Sequence, residues 1–178
     1  SKLDRAFVIG SFLRKDHPLF AQRLRQAVRH GAQVSSLNAV HDDWAMPLVH
    51  HMTAAPSGWA DALAQVAAAI ATAKGLAPPA PADAGDAAKT IAASLMSGER
   101  KALFLGNTAA QHPQASQLLA LAQWIGTQVG ATVGYFCESG NSVGAQFVGA
   151  LPRAGGFDAG QMLSRPMKTL FLLGVEPA

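Results

Sequence analysis

The chain has 178 residues, 49% of them hydrophobic and 14% charged, with a formal net charge of +3 and one cysteine, Cys137. That composition fits one ordinary globular domain or two small ones and excludes a disordered chain. A lone thiol excludes an intrachain disulfide and an iron–sulfur site ligated by this chain alone, and no apolar run reaches the roughly 20 residues of a membrane helix.

In chain order, residues 6–9 form a short β-branched and aromatic run that ends at Gly10 and reads as a buried strand. Pro18 suits the first turn of a helix, where its missing N–H costs nothing. Phe20, Leu24, Ala27 and Val28 recur at helical spacing, and Gly31 fits the C-terminal cap. Residues 32–38, "AQVSSLN", read as the second strand, so residues 6–38 make a strand–helix–strand unit with parallel strands. Arg14, Lys15, Arg23, Arg25 and Arg29 cluster here, and without interleaved aromatics they read as a solvated helix face rather than a nucleic-acid stripe.

Pro47 argues against a helix through the next stretch, and "LVHHMTAA" reads as a short strand. Trp59, Leu63, Val66 and Ile70 mark an Ala-rich helix. Residues 75–86, rich in Pro and Ala, read as a flexible linker or lid, and residues 87–96 as another helix. The first plan then recurs. Residues 102–105 are a strand, Gly106 ends it, and Pro113 can start a helix. Leu118, Leu121, Ala122, Ile125 and Val129 are the helix's apolar stripe, Gly130 caps it, and "ATVGYF" is the following strand. A short helix is expected near residues 142–148, and "TLFLLG", residues 169–174, reads as one more strand. Two related strand–helix–strand units predict a doubly wound, mostly parallel, Rossmann-like α/β sheet with helices on both faces, in a single domain over residues 1–178.

Ligands of such sheets collect at the carboxyl ends of the strands, where helix N-termini offer free N–H groups. Gly10 with Ser11 and Gly106 with Asn107 occupy those positions, and Ser11 or Asn107 could hydrogen-bond a phosphate or a ribose. The chain has neither GxGxxG nor a P-loop. Glu138 is the only acidic residue placed to hold a ribose, and Asn141 sits in the Gly-rich stretch of residues 137–156 that reads either as a cradle or as a set of turns. His17 and His112 precede prolines and read as helix caps. The adjacent His50 and His51 point to opposite sides of a strand, which removes them as joint metal ligands. Trp44, Trp59 and Trp124 read as packing anchors, Cys137 as a half-buried structural thiol, and no residue is assigned a catalytic or metal-binding role.

The phrases "VIGSFLRKDHPLFAQRLRQAVRHGAQVSSLNAVHDD", "FLGNTAAQHPQASQLLALAQWIGTQVGATVGYFCESGNSVGAQFVGALPRAGGFDAGQML" and "LFLLGVEP" resemble, over nearly the whole chain, the G-chain family of bacterial NADH-quinone oxidoreductases, respiratory complex I. More widely they are similar to the molybdopterin oxidoreductases, in which strand–Gly–Asn loops cradle the dinucleotide of the pterin cofactor. The resemblance implies a fragment of the C-terminal half of a larger subunit, whose iron–sulfur clusters lie in N-terminal regions outside this chain. It implies a scaffold that has lost the pterin, with the other hydrophilic-arm subunits as partners, on the cytoplasmic side of the inner membrane and without membrane insertion. The departures agree with a lost cofactor. Ser11 replaces Asn after the first Gly, Asn38-Ala39-Val40 stands where Asp-Pro-Arg is expected, and Cys137-Glu138-Ser139 replaces the same pattern in the second unit. The alternative is a working nucleotide- or pterin-dinucleotide-binding module of a molybdopterin oxidoreductase.

Overall fold

In the computed structural model, residues 2–138 and 140–172 are described, and the chain divides into two compact units, Ser1–Glu138 and Ser139–Ala178. The first unit is the α/β fold expected from the sequence. Five strands, β1 (Arg5–Ile9), β2 (Gln33–Asn38), β3 (His50–Thr53), β4 (Lys101–Leu105) and β5 (Ala131–Tyr135), form one sheet in the order β3-β2-β1-β4-β5. Every neighbouring pair is parallel, with Ile9 level with Leu37 on one side and Leu105 on the other. The chain leaves β1 towards β2 and re-enters at β4 on the other flank. The topological switch point therefore lies between the carboxyl ends of β1 and β4.

Strand alternation divides the core in two. Phe7, Ile9, Leu37, Leu103 and Leu105 face one side, and Ala6, Val8 and Val34 face the other. The first side is covered by α3 (Trp59–Lys74), α4 (Asp86–Met96) and α6 (Ala115–Val129). Helix α3 is buried on most of its circumference because it lies against both α4 and α6, which explains its run of alanines between Trp59, Leu63, Val66 and Ile70. Gly75 and Gly130 end α3 and α6 in the left-handed region, at φ +66° and +70°, as their cap positions require.

The second side carries α1 (Leu13–Asp16) and α2 (Pro18–Arg29), with Ala21, Leu24 and Ala27 turned to the sheet. The connection from β2 to β3 has no helix. Instead Trp44, Met46 and Leu48 alternate inward from an extended loop and pack on this face, while Ala45, Pro47 and Val49 are exposed. Trp44 and Trp59 are buried and Trp124 packs partly on the core, as anchors should.

Several local expectations needed adjustment. Each Gly loop is followed first by a one-turn helix, α1 or α5 (Asn107–Ala110), and only then by the long helix. Pro18 occupies the first turn of α2, but Pro113 lies in the turn before α6. Residues 75–86 have no regular structure until Asp86 opens α4, yet Ala80, Ala82 and Ala84 rest against the core. In the second unit, α7 (Ser142–Phe147) matches the expected helix, and α8 (Ala159–Leu163) starts with a capping box between Asp158 and Gln161. The strand expected at residues 169–174 is not formed over residues 169–172, whose Leu170, Phe171 and Leu172 are exposed; residues 173 and 174 lie outside the described residues. An apolar run becomes a strand only where a sheet edge pairs its backbone. Among the described residues no helix is long and apolar enough to cross a membrane.

Candidate functional site

The switch point is built by the two Gly loops, and they close on each other. Gly10 has φ +62°. A Cβ there would lie 2.6 Å from Trp59 Cζ3 and 2.7 Å from the backbone nitrogen of Ala109 in α5. Gly106 has an extended backbone, so any residue could adopt its conformation, but a Cβ there would overlap the Gly10 carbonyl oxygen and Ser11 Cβ and lie 2.7 Å from Ser11 Cα. Glycine is therefore required at Gly106 by the neighbouring loop rather than by its own torsions. Backbone bonds hold the pair together. Gly106 N–H donates to Ile9 O at 2.8 Å and Thr108 N–H to Gly10 O at 3.2 Å. The second contact consumes a first-turn N–H of α5, one of the groups that would otherwise face an anion.

The residues that follow the next strands differ between the two units. Asn38, 1% exposed, turns back on its own loops. Its amide donates to Ser11 O at 3.2 Å and to Asp42 Oδ1 at 3.3 Å, and its Oδ1 accepts from Ala39 N–H. Glu138, beyond β5, accepts a 2.6 Å hydrogen bond from Gln111 after α5. Asn141 belongs to the second unit, where it flanks Gly144 at the start of α7.

The two His-Pro histidines act as cross-links. His17 makes no side-chain cap. Its Nε2 lies 2.9 Å from the Cys137 carbonyl oxygen and its ring packs on Phe136. Because a carbonyl only accepts, Nε2 carries the proton. His112 stacks on Trp59, its Nε2–H donates to Pro56 O at 2.9 Å, and its Nδ1 accepts from Gln114 N–H, which is the one cap-like contact of the pair. Each histidine thus ties its loop to a distant carbonyl, a role with no local signature in sequence.

Three buried polar atoms of these loops have no hydrogen-bond partner in the protein: Ser11 Oγ, Asn107 Oδ1 and His17 Nδ1. Ser11 is 1% exposed, so its hydroxyl is the most fully withdrawn of the three. Cys137 is half-buried, and among the described residues no group of three or more His, Cys, Asp and Glu side chains is placed to hold a metal. His50 and His51 follow one another in β3. His51 Nε2–H donates to Val40 O at 3.0 Å and its Nδ1 accepts from the buried Ser36 hydroxyl.

A comparison with protein-family models and with curated proteins finds no match. The reading of the site therefore rests on its geometry.

The Gly10 carbonyl oxygen and Ser11 stand where a side chain at Gly106 would have to go, so the two loops pack directly on each other at this point. Open space is found to one side instead. A cleft of about 430 Å³ lies between the start of α1 and the loop after β2, lined by Phe12, Arg14, Lys15, Val40, Asp42 and Asp43 among others. Arg14 and Asp43 meet there at 2.6 Å.

Proposed function

We propose that the chain is a structural, non-catalytic α/β domain of the peripheral-arm G subunit of an NADH-quinone oxidoreductase, derived from a molybdopterin dinucleotide-binding domain that has lost its cofactor. The parent complex passes electrons from NADH to quinone; this domain contributes scaffold and contact surface with other hydrophilic-arm subunits, and the iron–sulfur clusters lie in the parent's N-terminal part. The parentage rests on the sequence resemblance, and what supports the loss of the cofactor is the closure of the two Gly loops, with Gly10 O bonded to Thr108 N–H and Ser11 seated against Gly106. The departure at Asn38 acts in the same direction, since its buried amide is already bonded to Ser11 O, Asp42 and Ala39 N–H.

The second reading, a working nucleotide or pterin-dinucleotide module, is favoured by one observation, the unpartnered Ser11, Asn107 and His17 atoms. Thermal shift of the purified chain with GDP, NAD and a pterin dinucleotide separates the two. A ligand at about 100 times its Kd stabilises a fold by about 2.7 kcal/mol. The scaffold reading expects no shift with any of the three, and a saturable shift with one of them overturns it. Parentage is read separately from the gene, which is expected to carry CxxC clusters upstream of this region; their absence removes the assignment to complex I.

A further inference from the structure

We infer that the groove between α2 and the loop of residues 43–47 is a docking site for an extended segment of a partner protein with acidic side chains at alternate positions. The groove is made of two cavities, about 140 and 260 Å³, that share Arg25 and Ala45. One wall is α2, and the other is Trp44, Ala45, Met46 and Pro47.

Every charged residue lining these two cavities is an arginine: Arg14, Arg25 and Arg29. The carboxylates nearby are already engaged. Asp43 holds Arg14 at 2.6 Å and accepts from Ala45 N–H at 2.7 Å, and Asp42 accepts from Trp44 Nε1 and Asn38. Among the described residues the side chains of Arg25 and Arg29 make no hydrogen bond, ion pair or ring contact. They sit one turn apart on the same flank of α2, so two like charges face the groove uncompensated.

The loop wall is held in a costly conformation. Ala45 is the one non-glycine residue with positive φ among the described residues, at +52°, and Asp43 pins it there. Ala45 and Pro47 stay exposed while Trp44 anchors the loop from beneath, so an apolar rim faces the arginines.

The spacing selects the ligand. Side chains one helical turn apart are separated by about 5–6 Å. Alternate side chains of an extended chain are about 6.6 Å apart and share a face. An acidic–apolar–acidic segment laid along the groove sets its carboxylates on Arg25 and Arg29 and turns the intervening apolar side chain to Ala45, Met46 and Pro47. Single-stranded nucleic acid fits less well, because it needs an exposed stacking surface. Trp44 is 5% exposed and its indole N–H is taken. This inference does not depend on the assignment to complex I.

The test is fluorescence anisotropy of the whole chain with a labelled nonapeptide of alternating Asp/Glu and Leu/Val. Controls are a peptide of the same composition with its acids contiguous and an oligothymidylate of equal charge. The alternating peptide is expected to bind most tightly and to weaken several-fold between about 50 and about 200 mM salt. The R25E/R29E variant, its fold checked by circular dichroism, is expected to lose about tenfold or more in affinity and to gain binding to the Lys–Leu counterpart peptide. No binding of the alternating peptide, equal binding of the contiguous one, tighter binding of the oligonucleotide, or an unchanged double variant would each overturn the proposal.

Discussion

Replacing Gly106 with Ala tests the closure of the two loops directly. The backbone of Gly106 is extended, at φ −88° and ψ −175°, so alanine brings no torsional cost of its own. Its methyl group would overlap Gly10 O and Ser11 Cβ and stand 2.7 Å from Ser11 Cα. All three atoms are backbone or Cβ, which a rotamer change cannot move. Overpacking of this kind costs about 1–3 kcal/mol, and the immobile neighbours place Gly106→Ala near the upper end, about 3 kcal/mol. Alanine also restricts the unfolded chain, which returns about 0.4–1 kcal/mol. The net expectation is a loss of about 2 kcal/mol, or a fall in Tm of about 4–8 °C for a chain of this size. Urea titration and thermal melting followed by circular dichroism measure it. A Tm that is unchanged or raised would mean that the loops part without cost, and the argument for a closed cradle would fail.

Three further outcomes follow from named contacts. Ser11→Ala removes a buried hydroxyl with no protein partner, and an unsatisfied buried group costs about 1–3 kcal/mol, so the variant is expected to be neutral or up to about 1 kcal/mol more stable by urea titration. A loss above that size would show the hydroxyl to be in use. Ala45→Gly relieves the positive φ and is expected to gain about 0.5–1 kcal/mol after the entropy of the added glycine is subtracted; a destabilised variant would contradict the strain. Asp4 bonds the side chain of Arg100 at 2.7 Å and its backbone N–H at 2.9 Å, and these contacts hold its carboxyl well below the ordinary carboxylate range. A folded-state pKa lowered in this way gives stability that is present above the unfolded carboxylate pKa and lost as pH falls through the folded one. Asp4→Asn is therefore expected to unfold at lower urea at neutral pH and to show a flatter acid limb; an unchanged pH profile would refute the role of the pair.

Much of the fold was legible in the residues. The apolar runs at β1 and β4, the stripes of α2, α3 and α6, and the glycine that ends α6 all carry local signals, because burial and left-handed caps constrain residue type in place. The strand at His50–Thr53 was legible from the Pro47 break. The run at residues 169–172 misled because hydrophobicity alone does not provide a pairing edge. Of the candidate site, Gly10, Ser11, Gly106 and Asn107 were located correctly at the strand ends. His17 does sit at the N-cap of α2 and His112 does accept from Gln114 N–H, but their ties to Cys137 O and Pro56 O were not legible, because those partners lie far away in sequence and on main-chain atoms. The apolar rim at residues 44–47 was missed, since a helix-free crossover shows only as an irregular stretch.

By itself the sequence determined that two strand–Gly–helix units with His-Pro turns would be built, because periodicity and turn chemistry act over a few residues. Only the tertiary structure decided that β1 and β4 would be neighbours and that their loops would meet. With the strands side by side, Gly10 presents its carbonyl to the first turn of α5, and Gly106 is left with no room for a side chain. That contact is a matter of excluded volume between distant segments, which no local preference encodes, and it makes the two loops bind each other.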